Sequence, residues 1–376
     1  MQMCPHFRRC GGCYYLDIPY TQQIKKKQEY LNNTLSFLKG VKIEQIHPSP
    51  QEFFYRNKME FTFSGTAEEP ILGQHYIGSF LRIENLKMCL LFDERIGRIL
   101  EDVREFARKF KIPPYNKKTH TGILRHLKVR VSKTTDEMMI ILVTTDAFNF
   151  HDEFAEVFKK YPFVKSIYHG INRKLSDIAL CDEYNLIAGE EYIREKIDSI
   201  SFLISPESFF QPNTQVAHII YRETKEEMKL TSDEYVLDLY CGSGGIGLYI
   251  AKDVKFVYAI DIDINSTKIL EENLKINDLK NLEVITGDVR KILPFVKRNN
   301  FDFAICDPPR SGMSKKAIRR VCEKDVKKIV FFSCKIETGV ENLKEFLKCG
   351  YKVKKVIPYD MFPHTPHMEV IFFLER

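Results

Sequence analysis

The run VLDLYCGSGGIGLYI, Val236 to Ile250, limits what this chain can fold into more than any other stretch. A short apolar segment carrying Asp238 leads into Gly242, Gly244 and Gly245, and an apolar helical pattern begins near Gly247. That order reads as strand, tight turn, helix. Glycine lets the backbone approach a ligand where a side chain would collide, and the start of the helix offers N–H groups with no partner inside it. The next apolar run, VKFVYAID, ends in Asp261. A carboxylate there, about twenty residues past the turn, is placed to accept hydrogen bonds from a ribose diol.

The periodicity around this unit sets the fold class. Strands are expected near 235–240, 256–261, 282–286, 302–306 and 328–333, alternating with helices near 246–252, 264–277, 289–297, 314–322 and 336–349. Two closing strands, near 351–358 and 367–374, read as an antiparallel pair. Regular alternation predicts an α/β, Rossmann-like doubly wound sheet over residues 206–376. The first 205 residues differ: β-rich segments with two helices, near 92–110 and 149–160, predict an α+β domain without βαβ alternation. FLISPESFFQPN, bracketed by Pro206 and Pro212, reads as the ordered connector.

A chain of 376 residues fits two such domains. No apolar run is long enough to span a bilayer, and MQMCPHFRRC lacks the apolar core of a signal peptide, so a cytoplasmic protein is expected. A net charge of +6 permits an acidic partner. Its distribution is more telling: Lys111, Lys117, Lys118, Arg125, Lys128 and Arg130 lie in one stretch without an acidic residue. Arg56, Asn57 and Lys58 follow Phe53, Phe54 and Tyr55, aromatics beside cations that suit base stacking with phosphate contact. These residues, with Phe209, are the candidates for RNA contact. The plainer readings are a solvated basic face and a strand with one buried side. The lysines at 25 to 27 read as the solvated face of a helix between Thr21 and Gly40.

Ten cysteines in a cytosolic chain point to metal ligands, nucleophiles or core fillers before disulfides. Cys4, Cys10 and Cys13 form C-x5-C-G-G-C, in which Gly11 and Gly12 allow a tight loop. Three thiolates call for a fourth ligand, and Cys89 is the best candidate downstream. A zinc site remains an alternative, although only Cys10 and Cys13 supply the usual C-x2-C pair; the first spacing of five argues against a radical enzyme's C-x3-C-x2-C.

In a doubly wound sheet ligands sit at the carboxyl ends of the strands. The fourth strand ends in CDPPR, where Pro308 and Pro309 stiffen the loop that carries Asp307. The fifth, KKIVFFSC, ends in Cys334 just before a helix, a setting expected to be electropositive and to lower the thiol pKa. Cys322 and Cys349 read as small core residues. DMFPHTPHMEV places His364, His367 and Glu369 at the start of the last strand; Pro363 and Pro366 make a structured turn there rather than a metal site.

Gly242, Gly244 and Gly247 satisfy the G-x-G-x-x-G of dinucleotide binders, yet D-x-x-C-G-x-G-G more closely resembles motif I of S-adenosylmethionine-dependent methyltransferases. A methyl donor, a strand-end thiol and a carboxylate suit methylation at carbon 5 of a pyrimidine. The thiolate adds at carbon 6 to activate the ring, and a base then removes the carbon-5 proton. C-x5-C-G-x-C, SFFQPN, LDLYCGSGGIG, DPPR, FFSC and MFPHTPHMEV together resemble the RNA uridine-5-methyltransferase family, from Cys4 to Glu369.

The resemblance implies a [4Fe–4S] cluster on Cys4, Cys10, Cys13 and Cys89, with Cys334 as nucleophile and Glu369 as base. It places Gln211, Tyr240, Gly242, Gly244, Asp261 and Asp307 around S-adenosylmethionine and the target base. It implies a monomer acting on RNA, with a uridine of 23S ribosomal RNA expected and transfer RNA as the alternative. Members often carry an amino-terminal β-barrel ahead of the cluster cysteines, for which Cys4 leaves no room, so the short ribosomal branch is the nearer likeness. Lys335 and Ile336 stand where many members have asparagine and proline, and the Asp307 position can be asparagine in the short branch. Two other readings are an exocyclic-amine methyltransferase, against which Arg310 stands where a stacking aromatic belongs, and an iron–sulfur RNA-binding protein with an idle methyltransferase half.

Overall fold

The computed structural model of the chain describes residues 4–376, and the alternation after Thr214 builds an eight-stranded sheet. Its order is Lys42–Ile43, Lys352–Tyr359, Glu369–Glu375, Val326–Ser333, Phe301–Cys306, Tyr235–Leu239, Phe256–Asp261, Leu282–Thr286. Neighbours run parallel except at Glu369–Glu375, which is antiparallel to both strands beside it. The order reverses between Tyr235–Leu239 and Phe301–Cys306, the switch point at which such sheets open a ligand crevice. Strands covered on both faces read as unbroken apolar runs, and Leu237, Leu239, Ile260, Phe301, Ile329, Phe331 and Phe372 form one buried core. Helix starts follow side-chain caps: Asn213 accepts from Val216, Asp263 from Asn265 and Ser266, and Ser314 from Ala317.

The compact units do not divide at residue 205. One comprises Ile18–Pro50, Ile197–Phe202 and Ser208–Arg376. The early segment joins it because Lys42–Ile43 pairs with Lys355 and Val356, giving the sheet another parallel strand, while Leu31 and Leu35 enter its core. In the helix Tyr20–Thr34, Lys25 and Lys26 are exposed as expected, but Lys27 is not. Lys27 is buried and paired with the equally buried Asp360 at 2.5 Å, and its Nζ also donates to the Phe362 carbonyl at 3.1 Å. Gln23 of the same helix grips His364, its Nε2 3.0 Å from the ring Nδ1 and its Oε1 accepting the His364 N–H at 2.9 Å. This helix therefore fastens the loop that leads to Glu369.

The other unit comprises residues up to Asp17, Gln51–Lys196 and Leu203–Glu207. Its seven-stranded sheet runs Ile83–Asn85, Pro70–His75, Lys58–Gly65, Leu124–Val131, Met138–Thr144, Val164–Ile171, Glu183–Gly189. The core on it includes Phe61, Phe92 and Leu127, with Ile99 and Val103 from the helix Ile96–Lys109. The expected absence of βαβ alternation is corrected at one place. Met138–Thr144 and Val164–Ile171 pair in parallel with the helix His151–Phe158 between them, because a parallel return needs a crossover. Among the described residues no helix is long and apolar enough to cross a membrane.

Removing one partner of a buried ion pair leaves the other charge uncompensated. Lys27→Met should cost about 3–5 kcal/mol of unfolding free energy, and the double variant Lys27→Met, Asp360→Asn should recover part of it; denaturant unfolding measures both.

Candidate active site

The glycine turn is held in place by backbone contacts that only small residues allow. Gly242 and Gly244 have φ of +53° and +110°, and Tyr240, at +62°, adopts the same left-handed region at the strand end. Gly247 is needed for a different reason: a Cβ there would come within 2.1 Å of Asp238 Oδ2. Asp238 is buried and accepts the Gly247 N–H, while its Oδ2 has no hydrogen-bond partner among the described residues. Burial, then the charges of Asp307 and Asp261, push its carboxyl up to about 8. Asp261 accepts the Gly242 N–H through Oδ2 and the Asp263 N–H through Oδ1, both at 2.9 Å, which leaves lone pairs for a diol. Gln211 Nε2 donates to Asp307 Oδ2 at 3.0 Å, and burial raises that carboxyl to about 7. Phe209 is exposed, its carbonyl accepting from Ser243 Oγ at 2.8 Å. Tyr240 is partly buried, and its hydroxyl is pushed upward by that burial. Three carboxyl groups that feel one another would repel a diphosphate. They favour a cofactor that carries a positive charge and a diol.

Cys334 follows Ser333 at the end of its strand and precedes the helix Ile336–Lys348. The turn is tight: a Cβ on Gly339 would meet Ser333 Oγ at 2.3 Å. Pro308, Pro309, Arg310, Lys335 and Thr338 line the crevice around the thiol. Glu369 opens the neighbouring antiparallel strand, where Val370 is registered against Ser333. Its carboxyl group accepts the Ser333 N–H, its Oε1 is buried without a partner among the described residues, and burial followed by the Asp307 charge pushes it well above the carboxylate range. The expected electropositive setting of Cys334 is thereby corrected. Burial, then Glu369 and Asp307, raise the thiol to about 12, against the smaller opposite pull of Arg310. The helix start is close, but the carboxyl groups on adjacent strands outweigh it.

Residues 174–376 match the family model described as tRNA (Uracil-5-)-methyltransferase. A Clostridium tetani protein named as an uncharacterized RNA methyltransferase is 37% identical over 99% of this chain and 83% of its own length. A Thermotoga maritima protein of the same description is 36% identical over 99% and 84%. The crystal structure of Pyrococcus abyssi tRNA (uracil-54, C5)-methyltransferase in complex with S-adenosyl-L-homocysteine superposes with a TM-score of 0.83 at 30% identity, covering all of this chain and 87% of that one. The chain belongs to the tRNA (uracil-5-)-methyltransferase family. As a member it is an RNA methyltransferase, and the doubly wound sheet described above is the fold of its catalytic unit.

The cysteines that this family membership brings into question lie in the other unit. Cys10, Cys13 and Cys89 each feel the charge of others in the set, Cys4 among them. Cys10 pairs with Tyr76 in an isolated bridge, and the Gly11 N–H donates to the His75 carbonyl at 2.9 Å. His6, which sequence reasoning missed, is buried between the Glu84 carboxylate at 2.9 Å and the Lys87 N–H at 3.0 Å, pinning the first turn beside the Cys89 segment. Cys10 Sγ accepts the Gly12 N–H at 3.4 Å, and Cys89 Sγ accepts those of Leu91 and Phe92. Among the described residues no three metal-ligating side chains converge where a single ion would sit. A four-iron cluster would take one thiolate per iron, with N–H groups aimed at the sulfurs; such N–H groups reach Cys10 and Cys89.

The expected RNA contacts divide. Arg56 is half-buried and its charge acts on Cys13 and Cys89. Asn57 is buried, and Lys58 pairs with Glu60 at 2.8 Å. Arg125 and Arg130 are corrected from solvated cations to buried ones: Arg125 donates to the carbonyls of Asn172, Lys174 and Ser176, and Arg130 to that of Ser205. Folding turned the β-strand Leu124–Val131 into a central member of its sheet, which its run of cations did not announce.

A thiol raised to about 12 is almost wholly protonated at neutral pH. In the free protein, carbamidomethylation of Cys334 by iodoacetamide should accelerate about tenfold per pH unit from 7 to 9, without the plateau that a depressed pKa would give; peptide mass spectrometry reads it.

Proposed function

We propose that this chain makes 5-methyluridine in RNA, adding Cys334 to carbon 6 of a uridine and using Glu369 to release the product. The observation that carries this reading is a thiol at a strand end beside a buried carboxyl group with one unpartnered oxygen. A structural cysteine needs no such neighbour.

Once the positively charged cofactor is bound, Cys334 and Glu369 give their protons to solvent water, and the sulfur then forms a bond to carbon 6 while electrons move onto the carbon-4 oxygen. Carbon 5 becomes nucleophilic and accepts the methyl group. Glu369, ionised, then removes the carbon-5 proton, the ring double bond reforms, and the sulfur leaves carbon 6. Holding both groups protonated in the unliganded crevice keeps the thiol inert until charge enters. The base must leave its stack to reach a strand-end thiol, so a flipped-out uridine is required.

When bound, S-adenosylmethionine supplies a methyl group on a positively charged sulfur. Gln211, Tyr240, Gly242, Gly244, Asp261 and Asp307 would hold it, and the carboxyl groups gathered there suit its charge. Cys4, Cys10, Cys13 and Cys89 would hold a [4Fe–4S] cluster whose part is to organise the loop on the His75–Ile77 edge, since methyl transfer needs no electron. The resemblance to the short branch favours a uridine of 23S ribosomal RNA. A transfer RNA uridine is the second reading, favoured by the likeness to the Pyrococcus abyssi enzyme.

Nucleoside mass spectrometry on ribosomal and transfer RNA, from cells with and without the gene, should find 5-methyluridine missing from 23S RNA alone. Loss from transfer RNA alone would assign the second reading, and no loss from either would refute both. Glu369→Gln should form the methylated adduct and fail to resolve it, so a covalent protein–RNA band should accumulate on ordinary uridine RNA.

A further inference from the structure

Arg125 and Lys128, both buried, make no ion pair among the described residues. Buried charges of this kind are costly when only neutral groups answer them. What answers them is the backbone of one loop, the 172–182 segment. The Arg125 guanidinium donates to Asn172 O at 3.0 Å and to the carbonyls of Lys174 and Ser176, with its Cζ 4.3 Å from the Tyr115 ring centre. Lys128 Nζ donates to Ala179 O at 3.2 Å and to the Tyr184 hydroxyl at 2.7 Å. Asn172 Nδ2 takes the Ile178 carbonyl.

With its carbonyls drawn inward, the loop turns other groups out. None of the backbone N–H groups from Leu175 to Leu180 donates to a protein acceptor among the described residues. Leu175 and Ile178 stand 67% and 54% exposed. Asp177 ties the loop to the hairpin tip 76–82 through His75 Nε2 at 3.0 Å and through Lys117, whose Nζ also reaches Phe80 O at 3.3 Å. Phe80, on that tip, is 88% exposed. Arg82 and Lys118 are exposed beside these residues and make no ion pair among the described residues. Apolar side chains, free N–H groups and unneutralised cations, exposed and buried, therefore share one surface. An apolar protein partner would need the first of these features but not the others; a single-stranded nucleic acid needs all three.

We propose that the 172–182 loop and the 76–82 hairpin tip form a ready-made contact surface for a single-stranded loop of the substrate RNA. Its bases rest on Phe80, Leu175 and Ile178, and its phosphates lie beside Arg82, Lys118 and the free N–H groups. Arg125 and Lys128 are then positioning residues that shape the surface from beneath. This rests on the reading of the chain as an RNA-modifying enzyme.

The test uses the full chain and two unmodified transcripts, 23S ribosomal RNA and transfer RNA, with affinity measured in the absence of methyl donor. The triple variant Phe80→Ser, Leu175→Ser, Ile178→Ser changes only exposed side chains. It should bind its preferred transcript about tenfold more weakly while keeping the wild-type rate at saturating RNA. Arg82→Ala with Lys118→Ala should flatten the dependence of log affinity on log salt by about one to two contacts. Affinity within twofold of wild type in the triple variant together with an unchanged salt slope would overturn the proposal, whichever protein the surface then proved to bind. Because binding is read without turnover, wild-type protein that binds RNA but makes no 5-methyluridine would sink the enzymatic reading and leave the surface standing.

Discussion

Negative charge crowded into a dry crevice is the constraint on which this molecule turns. Asp307 and Asp261 act on Asp238 at the glycine turn, and Asp307 acts in turn on Glu369 and Cys334. Water would normally disperse such repulsion. Here burial forbids it, so Asp238, Asp307, Glu369 and Cys334 are all pushed toward their protonated forms. A site built this way is poorly suited to anions and well suited to a ligand bearing a positive charge, and its thiol stays protonated while the crevice is empty. The same acids that disfavour the free enzyme's ionised form become favourable partners once a cation stands among them.

The geometry of that crowd comes from strand ends. Parallel strands deliver Asp238, Asp307 and Cys334 to one edge of the sheet, and the single antiparallel strand brings Glu369 to the same edge from the opposite direction. The loop before Glu369 has no regular structure of its own. It is fixed by Lys27 and Gln23 from the helix Tyr20–Thr34, and by Asn213, whose Nδ2 reaches Ser49 Oγ at 3.1 Å and the Met361 carbonyl at 3.4 Å. Gln211, two residues away, holds Asp307. The segment Gln211–Pro212–Asn213 thus braces two arms of the site from one stretch of chain.

Features governed by local chemistry were readable from the chain alone. Glycines at positive φ, apolar periods of the buried strands, and polar residues at strand ends led to the turn, the sheet and the positions of Cys334 and Glu369. Features governed by distant partners were not. Lys27 lies in a run of three lysines, and nothing beside it announces a buried Asp360. Arg125 and Lys128 belong to a basic stretch that reads as a wet face until strands close on both sides of it. The Cys334 thiol was expected to be acidic because the helix after it is local, while the burial that raises it most, and the carboxyl groups that add to it, depend on other strands. The parallel return from Met138–Thr144 to Val164–Ile171 is likewise a matter of pairing, which spacing alone leaves open.

The proposed covalent bond between Cys334 and the pyrimidine ring is the step on which the account turns. Replacing the target uridine by 5-fluorouridine removes the proton that the last step must abstract, so the adduct should be trapped after methyl transfer. Peptide mass spectrometry of the denatured complex should then find a methylated fluoropyrimidine nucleotide attached to Cys334 in near-stoichiometric yield. Full methylation of ordinary RNA by the Cys334→Ser enzyme, with no trapped adduct on the wild type, would contradict the account.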